Sequence, residues 1–300
     1  MESIVKIKIS QIDDFKDHPF LVNDDEELKQ LANSIKENGI LNHIIVRPKK
    51  NERYELISGH RRKLASQLNG MNEIDAFIKE LNDDEATIFM VDSNMYRERI
   101  LPSERAFAYK MKLEAIKHQG KKLDTSTTGV SKLRSDEIIA RENGESREKV
   151  RRYVRLTYLI PEILKLVDNS VIHDKRTYLT IGLKPAVELS YLTKEEQKLL
   201  YSTFIYDDLT PSHGQAIKIR ELSKKKQLNY NTLCEILSES KGNQNEQISF
   251  NKDKIESVLP SDLLKRDKRY IEQYIINAII KYKELEKEKI DNIDINNFKI

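Results

Sequence analysis

What the chain has little of narrows it first. One cysteine, Cys234, stands among 300 residues, which excludes an internal disulfide framework and any cysteine-based zinc site. The six histidines are scattered, with no HExxH or comparable pair, so spacing offers no metal-ligand cluster. No run of about 18 apolar residues occurs, and no membrane-spanning helix is expected. The opening MESIVKIKIS lacks the basic-then-apolar plan of a secretion signal, and the chain reads as cytoplasmic. Excess charge is lacking too. Lys and Arg number 52 against 49 Asp and Glu, a net charge of +3, so affinity for nucleic acid has to come from local patches. No internal repeat stands out. The length suits two or three domains. With 38% hydrophobic and 34% charged residues, several small cores are affordable but one large core is not.

What is there begins as a mixed α/β pattern. Residues 23–39 are amphipathic, with Leu28, Leu31 and Ile35 on one face, Asn23 or Asp24 as the cap and Gly39 as the stop. Residues 40–47 read as a strand ended by Pro48, 54–57 as a strand, 59–68 as a short helix, 74–79 as a strand and 83–95 as a helix. From Pro102 the pattern is helical only. An apolar stripe runs over 104–117, a Thr, Ser, Lys and Gly-rich loop over 120–131, and a short helix over 135–142. Asn143-Gly144 makes a turn, and Ser146 can cap the helix that follows. Helices continue to about residue 222. Residues 224–226 and 238–247 read as linker, and 267–289 as a last long helix carrying Tyr270, Tyr274, Ile275, Ala278, Ile279 and Tyr282. The fold class expected is α+β: a small mixed α/β domain at 1–101, an all-α domain at 102–225, and a linker with a helical dimerisation region at 226–300.

Three constellations carry chemistry. In YELISGHRRKLASQLNG (54–70), a strand, a glycine and a helix start bring backbone N–H groups and Arg61 and Arg62 toward an anion, and phosphate is the usual one. The plainer account is a tight corner at Gly59 with two surface arginines, and His60 is a hydrogen-bond donor before it is a base. In SNMYRE (93–98), Asn94 offers a metal-capable oxygen and Arg97 a phosphate contact; on its own this stretch is only a polar helix end. In NGESREKVRRYVRL (143–156), Val150, Tyr153, Val154 and Thr157 share one side of a helix, and Arg147, Arg151, Arg152 and Arg155 the other. A recognition helix needs this division, one face for its partner helix and one for the major groove. A solvated surface helix is the alternative.

The order of these blocks, with GILNHIIVRP at 39–48, ELISGHRRKLA at 55–65, SNMYRERILPSERA at 93–106 and then NGESREKVRRYVRL, resembles the ParB partition-protein family over about residues 1–180, more in the manner of plasmids and integrative elements. The resemblance implies a ParB/sulfiredoxin-type N-terminal domain followed by a helix-turn-helix domain. It implies CTP with Mg²⁺ at Gly59, His60, Arg61, Arg62, Asn94 and Arg97, with Asn94 at the metal and residues 39–47 near the base. It implies double-stranded DNA, a palindromic site met by Ser146, Arg147, Arg151, Arg152 and Arg155, and a homodimer that closes into a clamp sliding on DNA. Two departures stand out. Ser93 occupies the place where the family commonly has Glu, which weakens the case for a slow CTP hydrolase more than the case for binding. The N-terminus is short and weakly basic where many members carry an arm that stimulates a ParA-type ATPase. A helix-turn-helix transcription regulator without a clamp is the alternative function. Sulfiredoxin chemistry needs a cysteine where His60 stands, and no acidic cluster favours a nuclease.

Overall fold

The computed structural model describes residues 4–97, 99–123, 134–172, 179–207 and 209–239, with short pieces between 259 and 282. Contacts divide the chain into two units, 1–241 and 242–300. In the first, β1 (Ile4–Lys8) leads through a single 3-10 turn to β2 (Ile12–Asp13). Then come α1 (Glu26–Asn38), β3 (Ile44–Pro48), β4 (Tyr54–Ser58), α2 (His60–Leu68), β5 (Glu73–Ile78) and α3 (Asp83–Met95). The five strands form one mixed sheet in the order β1-β5-β3-β4-β2, with β1–β5 and β3–β4 antiparallel and β3–β5 and β2–β4 parallel. Alternation sets its faces. Ile7, Ile44, Val46, Leu56, Ile74 and Ala76 pack together, while Ile57 joins Phe15, Phe20, Met90 and Val91 in a second core.

Two details depart from the expectation for this half. The cap of α1 is Asp25, whose Oδ1 accepts the Leu28 N–H at 2.8 Å, rather than Asn23 or Asp24. The strand expected from residue 40 starts at Ile44, because Ile40 packs on the α1–α2 core and leaves the strand line. Sequence reading also passed over β1 and β2.

After α3 the structure is helical: α4 (Pro102–Leu123), α5 (Ser135–Glu142), α6 (Arg147–Leu156), α7 (Pro161–Asn169), α8 (Leu183–Leu189), α9 (Lys194–Asp207), α10 (His213–Lys224) and α11 (Tyr230–Ser238). The α+β class is therefore as expected. The loop expected from residue 120 instead begins with four helical residues, 120–123, and its remainder from 124 lies outside the described residues. Of the first expected linker stretch, Lys224 ends α10 and 225–226 form the turn after it; α11, whose Leu233, Ile236 and Leu237 are buried, lies between the two expected linker stretches and takes in the first residue of the second, Ser238. In the second unit, residues 270–271, 273–278 and 280–282 are helical; the other ends of the expected 267–289 helix lie outside the described residues.

The helix α4 belongs to three cores at once. Ala106 packs with α7–α11, Ala108 with α3 and the sheet, and Tyr109 with α5 and α6. At its middle Lys112 is 1% exposed, and its ammonium meets Asp92 of α3 and, at 2.6 Å, Glu142 of α5. A buried ammonium is tolerated only when paired. We expect Lys112→Ala to destabilise the protein by about 1–3 kcal/mol, below the figure for a fully buried pair because both carboxylates are half exposed. Urea unfolding checks this, and an unchanged midpoint would remove the pair from the list of contacts that hold α3, α4 and α5 together.

Candidate nucleotide and DNA sites

The turn from β4 into α2 is built on Gly59. Its φ is +107°, and a Cβ there would lie 2.7 Å from Ile44 Cγ2, so only glycine brings α2 this close to β3. The N–H groups at the start of α2 are left without intrahelical partners, as at any helix start, and the helix dipole favours an anion there. His60 is the first residue of α2 and is 7% exposed.

The cations around this turn differ in how they are held. Arg61 grips Asp25, the α1 cap, through two hydrogen bonds of 2.8 and 3.1 Å, and this pairing holds the Asp25 carboxyl below the usual carboxylate range. Arg62 donates to the carbonyls of Asn42 and, at 2.7 Å, His43. Lys63 donates to the Ile12 carbonyl and to Asp14. Arg97 has no carboxylate partner among the described residues; its guanidinium lies over the Phe20 ring, 5.3 Å from the centroid. Asn94, 5% exposed, donates from Nδ2 to the Met90 carbonyl at 2.8 Å, and Ser93 Oγ donates to the same carbonyl at 3.0 Å.

The segment between β2 and α1 completes the site, and sequence reading missed it. His18 stacks on His60 with ring centroids 3.8 Å apart and meets Phe20 edge-on at 5.6 Å. His18 Nδ1 lies 2.8 Å from the Phe20 carbonyl. The Leu21 N–H donates to Glu104 of α4 at 2.7 Å, which ties this segment to the helical half. The available signal was His-Pro-Phe, an aromatic and imidazole pair inside an otherwise polar stretch.

The helix-turn-helix is α5, the Asn143–Gly144 turn and α6. Gly144 has φ +62°, and Ser146 Oγ accepts the Lys149 N–H at 3.2 Å as the cap. Glu145 fixes the turn to α4, accepting from Arg105 and from the Tyr109 hydroxyl, each at 3.0 Å. Val150 and Leu156 are buried, and Tyr153 and Val154 pack inward, as the apolar stripe requires. The arginines do not act alike. Arg151 is 59% exposed, 3.9 Å from Asp136, and Arg152 reaches Glu148 at 3.6 Å. Arg147 donates to Asp136 at 2.8 Å. Arg155 is locked: it donates to the Ser190 hydroxyl and carbonyl at 3.0 and 2.8 Å and lies between the rings of Tyr158 and Tyr191, at 4.4 and 3.9 Å. A cavity of about 550 Å³ between α4, α5 and α6 is lined by Lys117, Arg134, Arg151 and Arg155.

Burial pushes His60 down to about 3, helped by the neighbouring His18, and burial also lowers His18. The unfolded chain therefore binds more protons than the folded one below the ordinary histidine value of about 6.5, and stability rises with pH across that window. We expect stability to be complete above pH 6.5 and to fall steadily as the pH drops from 6.5 to 5, before the ordinary carboxylates titrate. Thermal melts of the wild type and His60→Gln check this; the variant should show the flatter profile.

A family model described as the ParB N-terminal domain matches residues 1–95. The chromosome-partitioning protein Spo0J of Thermus thermophilus is 33% identical over 161 residues, 54% of this chain and 53% of that protein. The chain thus spans about half the length of the curated relatives it matches. Among solved structures, C-terminally truncated ParB of Caulobacter crescentus bound to the centromeric parS site is 22% identical, covers 74% of this chain and 99% of that one, and has a TM-score of 0.41. The same protein with CTP-γ-S is 23% identical, covering 68% and 99%, with a TM-score of 0.30. The chain carries a ParB N-terminal domain at residues 1–95 and is a homologue of the ParB and Spo0J chromosome-partitioning proteins.

Proposed function

We infer that this chain is a sequence-specific DNA-binding partition protein whose N-terminal domain is switched by CTP. The observation that carries the reading is Arg97, a guanidinium in no ion pair among the described residues although Glu104 acts on it from nearby, close to the open start of α2 in the domain matched by the ParB N-terminal model. A guanidinium in no ion pair beside free N–H groups suits a polyphosphate. Gly59, His60, Arg61 and Arg62 shape that turn, and Arg61 would have to share its Asp25 partner with a ligand.

Among the described residues no three His, Cys, Asp or Glu side chains are placed to hold a metal, so the protein alone offers no cage. Mg²⁺ would arrive with the triphosphate, and Asn94 Oδ1 is the kind of hard oxygen it takes. Ser93 supplies no negative charge there, which favours slow turnover. Helix α6 would enter the major groove of a palindromic site with Ser146 at its start and Arg147, Arg151 and Arg152 on its open face, while Arg155 supports the helix from behind. The exposed Tyr270, Tyr274 and Tyr282 support a homodimer through the second unit. A ParA-type ATPase is the partner that such a role would engage, at a nucleoid or plasmid. No helix among the described residues is long and apolar enough to cross a membrane.

Titration with the four nucleoside triphosphates, with and without DNA, tests the switch. CTP should bind best, and Arg97→Ala should weaken it tenfold or more, the loss of about 1.5–3 kcal/mol expected for a charge-assisted contact, while DNA binding without nucleotide stays within twofold. A protein that binds its operator yet no triphosphate is a plain transcription regulator. For the DNA-reading helix, Arg151→Ala should cost about 1–3 kcal/mol in affinity for the specific site at unchanged melting temperature. Arg155→Ala should lower the melting temperature first, because its hydrogen bonds and ring contacts are internal. Equal, purely affinity-based losses in both variants would show that Arg155 faces DNA after all.

A further inference from the structure

Three ring nitrogens in the His18–His60 pair, His18 Nε2 and both nitrogens of His60, are buried without a hydrogen-bond partner among the described residues. Native proteins leave few such groups unpaired. The tautomer of His18 follows from its neighbour. A carbonyl only accepts, so the ring nitrogen 2.8 Å from the Phe20 oxygen must be the donor, and the neutral His18 carries its proton on Nδ1. Its Nε2 is then a bare lone pair. A phosphate oxygen is also only an acceptor, and two acceptors cannot meet without a proton between them.

The surroundings favour an anion that brings one. Arg97 lies on Phe20, which touches His18, which stacks on His60 at the start of α2. The charged groups facing the pair are Arg97 after α3, Lys63 on α2 and Asp14 before the His-Pro-Phe segment. Burial opposes a proton on either ring first; among the cations, Arg97 works against a proton on His18, while on His60 Lys63, itself paired with Asp14, acts ahead of Arg97. An anion at the start of α2 would cancel that repulsion.

We propose that the His18–His60 pair is a proton-linked phosphate subsite: one proton enters His18 Nε2 from solvent as a polyphosphate seats against Arg97 and the α2 N-terminus. The inference rests on the nucleotide reading given above. His60, stacked and neutral, shields the resulting imidazolium from water. Binding then tightens as pH falls, because the bound form holds one more proton than the free form.

Calorimetry on the full chain tests it, with Mg²⁺–CTP and inorganic tripolyphosphate as probes, in two buffers of different ionisation enthalpy at pH 7. The wild type should take up close to one proton more per bound anion than His18→Asn does. Its Kd should fall by up to tenfold more per pH unit between pH 8 and 6 than that of the variant; comparing the two cancels the titration of the phosphate itself. A second readout needs no variant: the His18 ring signal in an NMR titration should move to its protonated position on adding tripolyphosphate at pH 7. Binding with equal proton counts in wild type and variant, or a His18 signal that stays neutral in the bound state, overturns the proposal and leaves the nucleotide reading standing. Failure of the wild type to bind either probe overturns both.

Discussion

The fold turns on a charge buried at the centre of α4. Lys112 cannot be hydrated where it sits, so the carboxylates of Asp92 and Glu142 must stay beside it. Those two residues lie on α3, whose last turn carries Ser93 and Asn94, and on α5, which opens the helix-turn-helix. Two more carboxylates act at the α4 turns before Lys112, Glu104 holding Leu21 next to the His-Pro-Phe segment and Glu145 fixing the turn before α6 to Arg105 and Tyr109. Asp92 and Leu21 tie α4 to the N-terminal half, and Glu142 and Glu145 tie it to α5 and to the turn before α6. A rigid α4 therefore places the triphosphate-type site and the DNA-type helix in one mechanical frame, whatever either of them binds.

The charges around Gly59 divide by what they face. Arg61, Arg62 and Lys63 sit in consecutive positions, yet all three are engaged with Asp25, with two carbonyls and with Asp14. The cation left over, Arg97, comes from a different element 35 residues further on. An arginine-rich motif in a sequence thus need not be the part that meets a ligand. Here much of it fastens α2 to α1 and to the approach to β3, and the guanidinium in no ion pair among the described residues comes from beyond α3.

This division marks what the sequence could and could not reveal. The helices at 83–95 and 135–142 and the Ser146 cap are legible because capping residues and 3.6-residue spacing are local signals. Gly59 is legible as a corner, since a positive φ after a strand needs glycine. Strands β1 and β2 were passed over because β2 is only two residues long and its pairing with β4 is made 42 residues away. The His18–His60 stack was invisible for the same reason: neither histidine has a local partner of its kind, and only the closure of the sheet brings them together. Arg155 was assigned to the polar face by helical angle alone. Tyr158 and Tyr191, which claim it, lie respectively past the end of α6 and past the end of α8.

That clasp has a consequence for exchange of parts. Arg155 fastens α6 to the end of α8, and Arg220 of α10 lies on the opposite side of the same Tyr191 ring at 3.7 Å. The tilt of α6 is therefore set by aromatic packing that originates outside the two-helix motif. A graft of α5 and α6 into another scaffold would carry Arg147, Arg151 and Arg152 but lose the packing that sets their bearing. The orientation of α6 is transplantable only as a larger block, from the turn at Asn143 through Tyr191 past the end of α8.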